Sequence, residues 1–167
     1  MSRTEFLVSL EIKVSIVRIM DTRHAGFARC LELINKSNQF NTTGRRWTME
    51  DCAAFFALGG RFHAFEVRDR FAAYGIVGVA ILLDATIKQF VMSCRVLGLD
   101  VETAVIAWIA NNSGGPILHA ELVETDANFL CRDLYHKCGF ERRGDVWARS
   151  LGSALLGPLH NIQLEAA

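Results

Sequence analysis

Thr86-Ile87-Lys88-Gln89-Phe90-Val91-Met92-Ser93 runs directly into Cys94-Arg95-Val96-Leu97-Gly98-Leu99-Asp100, and a helical pattern follows over 101–111. The first stretch is rich in β-branched and other apolar residues and reads as a strand. Gly98 punctuates a turn, after which Asp100 stands where a helix N-cap is expected. A strand, a glycine turn and a helix in this order present successive backbone N–H groups at the positive end of a helix dipole, which suits phosphate oxygens. The same spacing also describes an ordinary strand–helix turn in which Gly98 relieves strain.

Working outward, residues 12–20 are β-branched and read as a first strand. Asp21-Thr22 offers a cap, and Phe27, Cys30, Leu31 and Ile34 recur at helical spacing over 25–35. Thr48 caps a helix over 49–58, with Glu50 and Asp51 in its first turn and Gly59-Gly60 at its end. Strands are predicted over 62–69, 75–83, 117–123 and near 145–150, and a helix over about 127–138 that stops at Gly139. The order β-α-α-β-β-β-α-β-α-β implies an α/β (α+β) fold: a mixed sheet of about six to seven strands flanked by about four helices. Residues 151–167 suit either a short helix or an added strand.

The chain has 167 residues, 51% of them apolar, and a formal net charge of zero. One domain is expected, with its core over about 12–150. Charge neutrality argues against a nucleic-acid module. The apolar fraction is compatible with a homodimer. Cys30, Cys52, Cys94, Cys131 and Cys138 form no CxxC pair and no zinc-ligand spacing, so free thiols and no metal site are expected. The charged residues Glu5, Glu11 and Lys13 interrupt any signal-like run, and the apolar run 72–83 is too short to span a bilayer. A cytoplasmic protein with no membrane partner is the expectation.

A second segment bears on the first. Asn128-Phe-Leu-Cys-Arg-Asp-Leu-Tyr135-His-Lys-Cys-Gly139-Phe140 resembles the last helix of GNAT acyltransferases, in which an Asn, a Tyr seven residues later and a Gly-Phe recur. The resemblance implies that the 94–100 turn lies on phosphates, that Asn128 binds a pantetheine arm, and that the Tyr135 hydroxyl protonates the departing thiolate. Such a proton is what an aminolysed thioester needs. The implied cofactor is coenzyme A, as acetyl-coenzyme A, or the phosphopantetheine of an acyl carrier protein, held by Met92, Ser93, Cys94, Arg95, Val96, Leu97, Gly98, Leu99, Asp100, Asn128 and Tyr135.

A narrower resemblance covers roughly residues 14–140. Asn35-Lys-Ser-Asn38-Gln39-Phe40-Asn41-Thr-Thr-Gly-Arg45-Arg46-Trp47-Thr48 resembles the Asn-Lys-Thr-Asn-Gln-Phe-Asn-Leu-Thr-Thr-Arg-Arg-Tyr-Thr phrase of FkbH-like proteins. Phe90-Val-Met-Ser-Cys94-Arg95-Val-Leu-Gly98 resembles their Leu-Met-Ser-Cys-Arg-Val-Leu-Gly, and Asp69-Arg70-Phe71 before Gly75-Ile-Val-Gly78-Val79 has a counterpart too. That family implies glyceryl or methoxymalonyl loading of an acyl carrier protein in polyketide assembly, by a GNAT-like domain joined to a haloacid-dehalogenase-type domain. The latter's Asp-x-Asp-x-Thr motif is absent from this chain. Leu99 and Asp100 stand where the family has Arg-Gly, which disfavours the pyrophosphate of coenzyme A more than the single phosphate of a carrier-protein arm.

Three readings follow as expectations: a GNAT-type acyltransferase, a non-catalytic carrier-protein docking module serving a separate haloacid-dehalogenase-type partner, or a degenerate GNAT-fold protein that only dimerises. Cys94 is a candidate nucleophile beside a helix N-terminus, or a buried small residue. Asn38, Gln39, Asn41, Arg45 and Arg46 suit a carboxylate or phosphate on a small-molecule acceptor, or form a capped loop. His119 and Glu121 alternate on their strand and are candidate bases, or surface groups.

Overall fold

The computed structural model describes residues 1–152 and 162–166. Its sheet is built on four antiparallel strands in chain order. β1 (Lys13–Ile19) pairs with β2 (Arg61–Arg68), β2 with β3 (Ala73–Leu83), and β3 with β4 (Thr86–Met92). Asp84 takes a positive φ of 50° to close the last hairpin. Beyond β4 come β5 (Ile117–Glu121), running parallel to it, then β7 (Val146–Ser150) and the edge strand β6 (Glu141–Arg143). On the far side β8 (Gln163–Ala166) lies parallel to β1. The sheet order is β6-β7-β5-β4-β3-β2-β1-β8.

Alternation sends successive side chains to opposite faces, and each face builds its own core. One face carries α2 (Phe27–Lys36) and α3 (Met49–Ala57), whose Phe27, Cys30, Ile34 and Phe55 pack with Phe62, Ala64, Val79 and Val91. The other carries α1 (Arg3–Ser9), α4 (Val101–Asn112) and α5 (Leu134–Lys137), with Leu7, Val105, Ile109 and Leu134 against Val14, Ile16, Val67 and Phe90. Gly78 lets Phe65 lie against the sheet: a Cβ there would sit 2.0 Å from the Phe65 ring.

The mixed α/β sheet agrees with expectation, and the details differ. The described residues form eight strands and five α-helices, against an expectation of six to seven strands and about four helices. An N-terminal helix precedes the first strand, capped by Ser2 and Glu5 acting reciprocally. The helix expected over 127–138 is reduced to a 3-10 turn at Phe129–Cys131 and the single turn α5. Asn128 and Arg132 explain this. Asn128 Oδ1 accepts from the Thr125 N–H at 2.9 Å and an Arg132 N–H reaches the Thr125 carbonyl at 2.7 Å, so side chains compete with helical bonding. The strand near 145–150 is half of a hairpin whose other arm is β6. Of the tail, 163–166 is an added strand, and 153–161 lie outside the described residues.

Candidate functional site

The parallel strands β4 and β5 pair only through the first two residues of β4, Thr86 with His119 and Ile87 with Ala120. Beyond that point β4 has no β5 partner, so its Phe90 and Met92 backbone groups need other bonds. The segment 40–42 supplies them. Thr42 N–H donates to the Phe90 carbonyl at 3.0 Å, Met92 N–H to the Phe40 carbonyl at 3.0 Å, and Phe90 N–H to the Thr42 hydroxyl at 2.8 Å. On its other side the Thr42 carbonyl accepts from Val123 N–H at 2.8 Å. A stretch of the chain's own backbone therefore fills the opening between the two strands.

Asn128 belongs to that filling. It is fully buried, donating to the carbonyls of Asn41 (3.0 Å) and Val123 (2.8 Å). With Oδ1 on Thr125, both amide hydrogens and the carbonyl oxygen are engaged within the fold. Tyr135 is equally enclosed. Its hydroxyl reaches no solvent and makes no hydrogen bond of good geometry. Burial pushes the phenol well above its usual range, with the Thr42 hydroxyl acting in the opposite direction. In this packing neither Asn128 nor Tyr135 meets a ligand surface.

The turn after β4 differs from the expected row of free N–H groups. Cys94–Val96 form a 3-10 turn capped by Ser93, and α4 starts only at Val101. The N–H groups of Arg95, Val96, Leu97 and Leu99 bond within the turn, to Ser93 Oγ and to the carbonyls of Ser93, Cys94 and Val96. Gly98 and Asp100 both adopt positive φ, 81° and 59°, so Asp100 makes no side-chain cap on α4. Instead its carboxylate takes an Arg3 N–H at 3.0 Å, and the same guanidinium nitrogen reaches the Gly98 carbonyl at 2.8 Å. Arg3 thus brings a second positive group to a turn whose own sequence supplies only Arg95. No local pattern points to it, because α1 and the turn meet only in the fold. Arg95 leans toward β3, with its guanidinium 3.3 Å from the Tyr74 carbonyl.

Of the five candidate acceptor residues, two line an open groove. A cavity of about 300 Å³ is lined by Lys36, Ser37, Asn38, Gln39 and Phe40 on one side and Met92, Ser93, Cys94 and Leu97 on the other. The structure therefore brings Asn38 and Gln39 together with four of the turn residues. Cys94 is exposed there, which answers the alternative of a buried thiol, while Cys30, Cys52, Cys131 and Cys138 are buried. Burial pushes those four thiols up to about 11 or 12.

The other three candidates serve the loop. Asn41 is fully buried. Arg46 donates to the carbonyls of Ile34 (2.8 Å) and Ser37 (3.0 Å) at the end of α2, and also to Asn38 Oδ1. That is a helix C-terminal role. Arg45 stacks over Trp47, its guanidinium carbon 4.0 Å from the ring centre. Of the candidate bases, Glu121 accepts from Lys88, and His119 sits at the one place where β4 and β5 touch.

Among the described residues, no three His, Cys, Asp or Glu side chains gather in a way that could hold a metal ion. No described helix is long and apolar enough to cross a membrane. No family model matches the chain, and no curated protein matches it.

Proposed function

We propose that this chain is a GNAT-type acyltransferase domain that works on a pantetheine thioester, presented by an acyl carrier protein in preference to free coenzyme A. The observation carrying this reading is the groove itself, which joins the 92–97 turn to the 36–40 loop and holds the exposed Cys94 thiol. A thioester laid in the groove meets that thiol. The Cys94 thiolate attacks the carbonyl carbon, the bond to the pantetheine sulfur breaks, and the departing thiolate takes a proton from water. The acyl group then passes to an acceptor bound beside Asn38 and Gln39. The sequence resemblance to FkbH-like proteins supports a role in glyceryl or methoxymalonyl extender-unit metabolism, for which a cytoplasmic setting is proposed. Incubation with acyl-loaded carrier protein, followed by intact-mass measurement, should add one acyl group to the wild type and none to Cys94→Ser. Equal labelling of both would remove Cys94 from the mechanism.

The filled opening between β4 and β5 favours a second reading, a non-catalytic module that docks carrier protein for a separate haloacid-dehalogenase-type partner. An amide-bearing arm gains affinity from unpaired strand-edge groups, and Phe90 and Met92 have given theirs to residues 40–42. Holo-carrier protein retained more strongly than the apo form, with no acyl transfer, would establish this reading over the first.

A further inference from the structure

Toward the other end of the strands lies a cavity of about 370 Å³ that the groove chemistry does not involve. Arg18 on β1 and His63 on β2 are register partners, and Arg61 stands two residues before His63, so the three side chains share one face. The end of α4, with Trp108, Ile109 and Asn112, and its C-cap Ser113 cover that face.

The charge arrangement is unbalanced. Among the described residues, no carboxylate side chain lines the cavity. Arg18 is exposed and enters no hydrogen bond or ion pair among the described residues, and Arg61 donates only to the Asp84 carbonyl, at 3.0 Å. His63 is 7% exposed and its Nδ1 has no hydrogen-bond partner. Burial, then Arg61 and Arg18, push its imidazole down to about 4. Arg18 and Arg61 lie diagonally across β1 and β2, within reach of each other, and two like charges so placed bring the sheet no stabilisation. The carbonyls at the end of α4, which would repel an anion, are partly covered: Asn112 donates to Trp108 O at 2.8 Å and Ser113 to Ala110 O at 3.2 Å. Beside the cations lies an apolar wall of Ile16, Leu82, Ile109 and Trp108, whose indole meets the His63 ring edge-on at 5.4 Å.

We infer that this cavity binds a small organic anion, its carboxylate or phosphate between Arg18 and Arg61 and its flat apolar body against Trp108. A volume of this size fits one small ligand. The site is independent of the acyltransferase reading and stands if that reading fails.

Titration of isotope-labelled protein, followed by NMR at His63 and Trp108, tests it with three probes: benzoate, inorganic phosphate and neutral benzamide. Saturable shifts at both residues with millimolar benzoate are expected. Phosphate should shift His63 with little effect on Trp108, and benzamide should bind at least about tenfold more weakly than benzoate. Arg18→Gln, at an exposed position that leaves the core intact, should weaken benzoate at least about fivefold, and Arg61→Gln likewise. Equal affinity for benzamide, an unaltered Arg18→Gln titration, or no saturable shift with benzoate would each overturn the inference.

Discussion

The Gln89 side chain donates from Nε2 to the Asn41 carboxamide oxygen at 2.8 Å, in a place where both residues are buried. Gln89 also accepts from the Trp47 indole at 2.8 Å and donates to the Arg45 carbonyl at 3.0 Å. Asn41 Oδ1 takes the Gly44 N–H at 2.9 Å, and its Nδ2 donates to the Ser37 carbonyl at 3.1 Å. This buried amide pair joins the backbone bonds of residues 40–42 in fastening the 37–47 loop to β4. Asn41→Ala orphans several buried polar groups at once and should cost about 3 kcal/mol or more, read from urea unfolding. A loss under about 1 kcal/mol would mean that the loop is held by something else.

Tyr135→Phe discriminates between two roles for the phenol. As a proton donor, the hydroxyl is needed for turnover. As a buried group with no well-made bond, its loss should leave stability unchanged or raise it by up to about 1 kcal/mol. Unchanged acyl transfer is the expected outcome, and a large fall in kcat with normal donor binding would restore the catalytic role.

Iodoacetamide should modify one of the five thiols in the native protein, at Cys94, and all five after unfolding. Peptide mapping by mass spectrometry reads the site. Because Cys94 lines the groove, preincubation with holo-carrier protein should slow the modification; an unchanged rate would place the arm elsewhere.

The buried His63 sets an acid limit on stability. Its folded value near 4 lies below its ordinary 6.5. Its contribution is therefore fully present above 6.5 and declines as pH falls toward 4, by about 1.4 kcal/mol per pH unit. His63→Phe cannot titrate. Between pH 7 and pH 5 the wild type should lose about 2 kcal/mol more than the variant. Parallel declines in urea-melt series would assign the acid sensitivity to other groups.

Much of the sheet is legible because its strands and helices carry strong periodicity. Phe27, Cys30 and Ile34 mark α2, and Thr48 with Asp51 caps α3. Ser2-Arg3-Thr4-Glu5 carries the same kind of capping signal and marks α1 just as clearly. By contrast, 127–138 has helical spacing, but Asn128 and Arg132 bind the Thr125 backbone, which no periodicity reveals. At the site, the motifs around Asn38 and Cys94 locate one groove. The occupation of the β4–β5 opening by 40–42 leaves no pattern, since irregular backbone pairs through N–H and C=O groups common to every residue. Arg3 on Asp100 and Arg18 beside His63 are likewise products of long-range register.

The pairing of Lys13 with Gln163 across β1 and β8 has a kinetic meaning. Contacts so distant along the chain raise the contact order, and loop-closure entropy is lost before they form. On the ribosome, β1 and β2 can associate early, yet the outer side of β1 waits for residues 163–166. During that interval its unpaired edge is open to other chains. Residues 163–166 therefore act as the cover of a sheet edge that the rest of the fold leaves open.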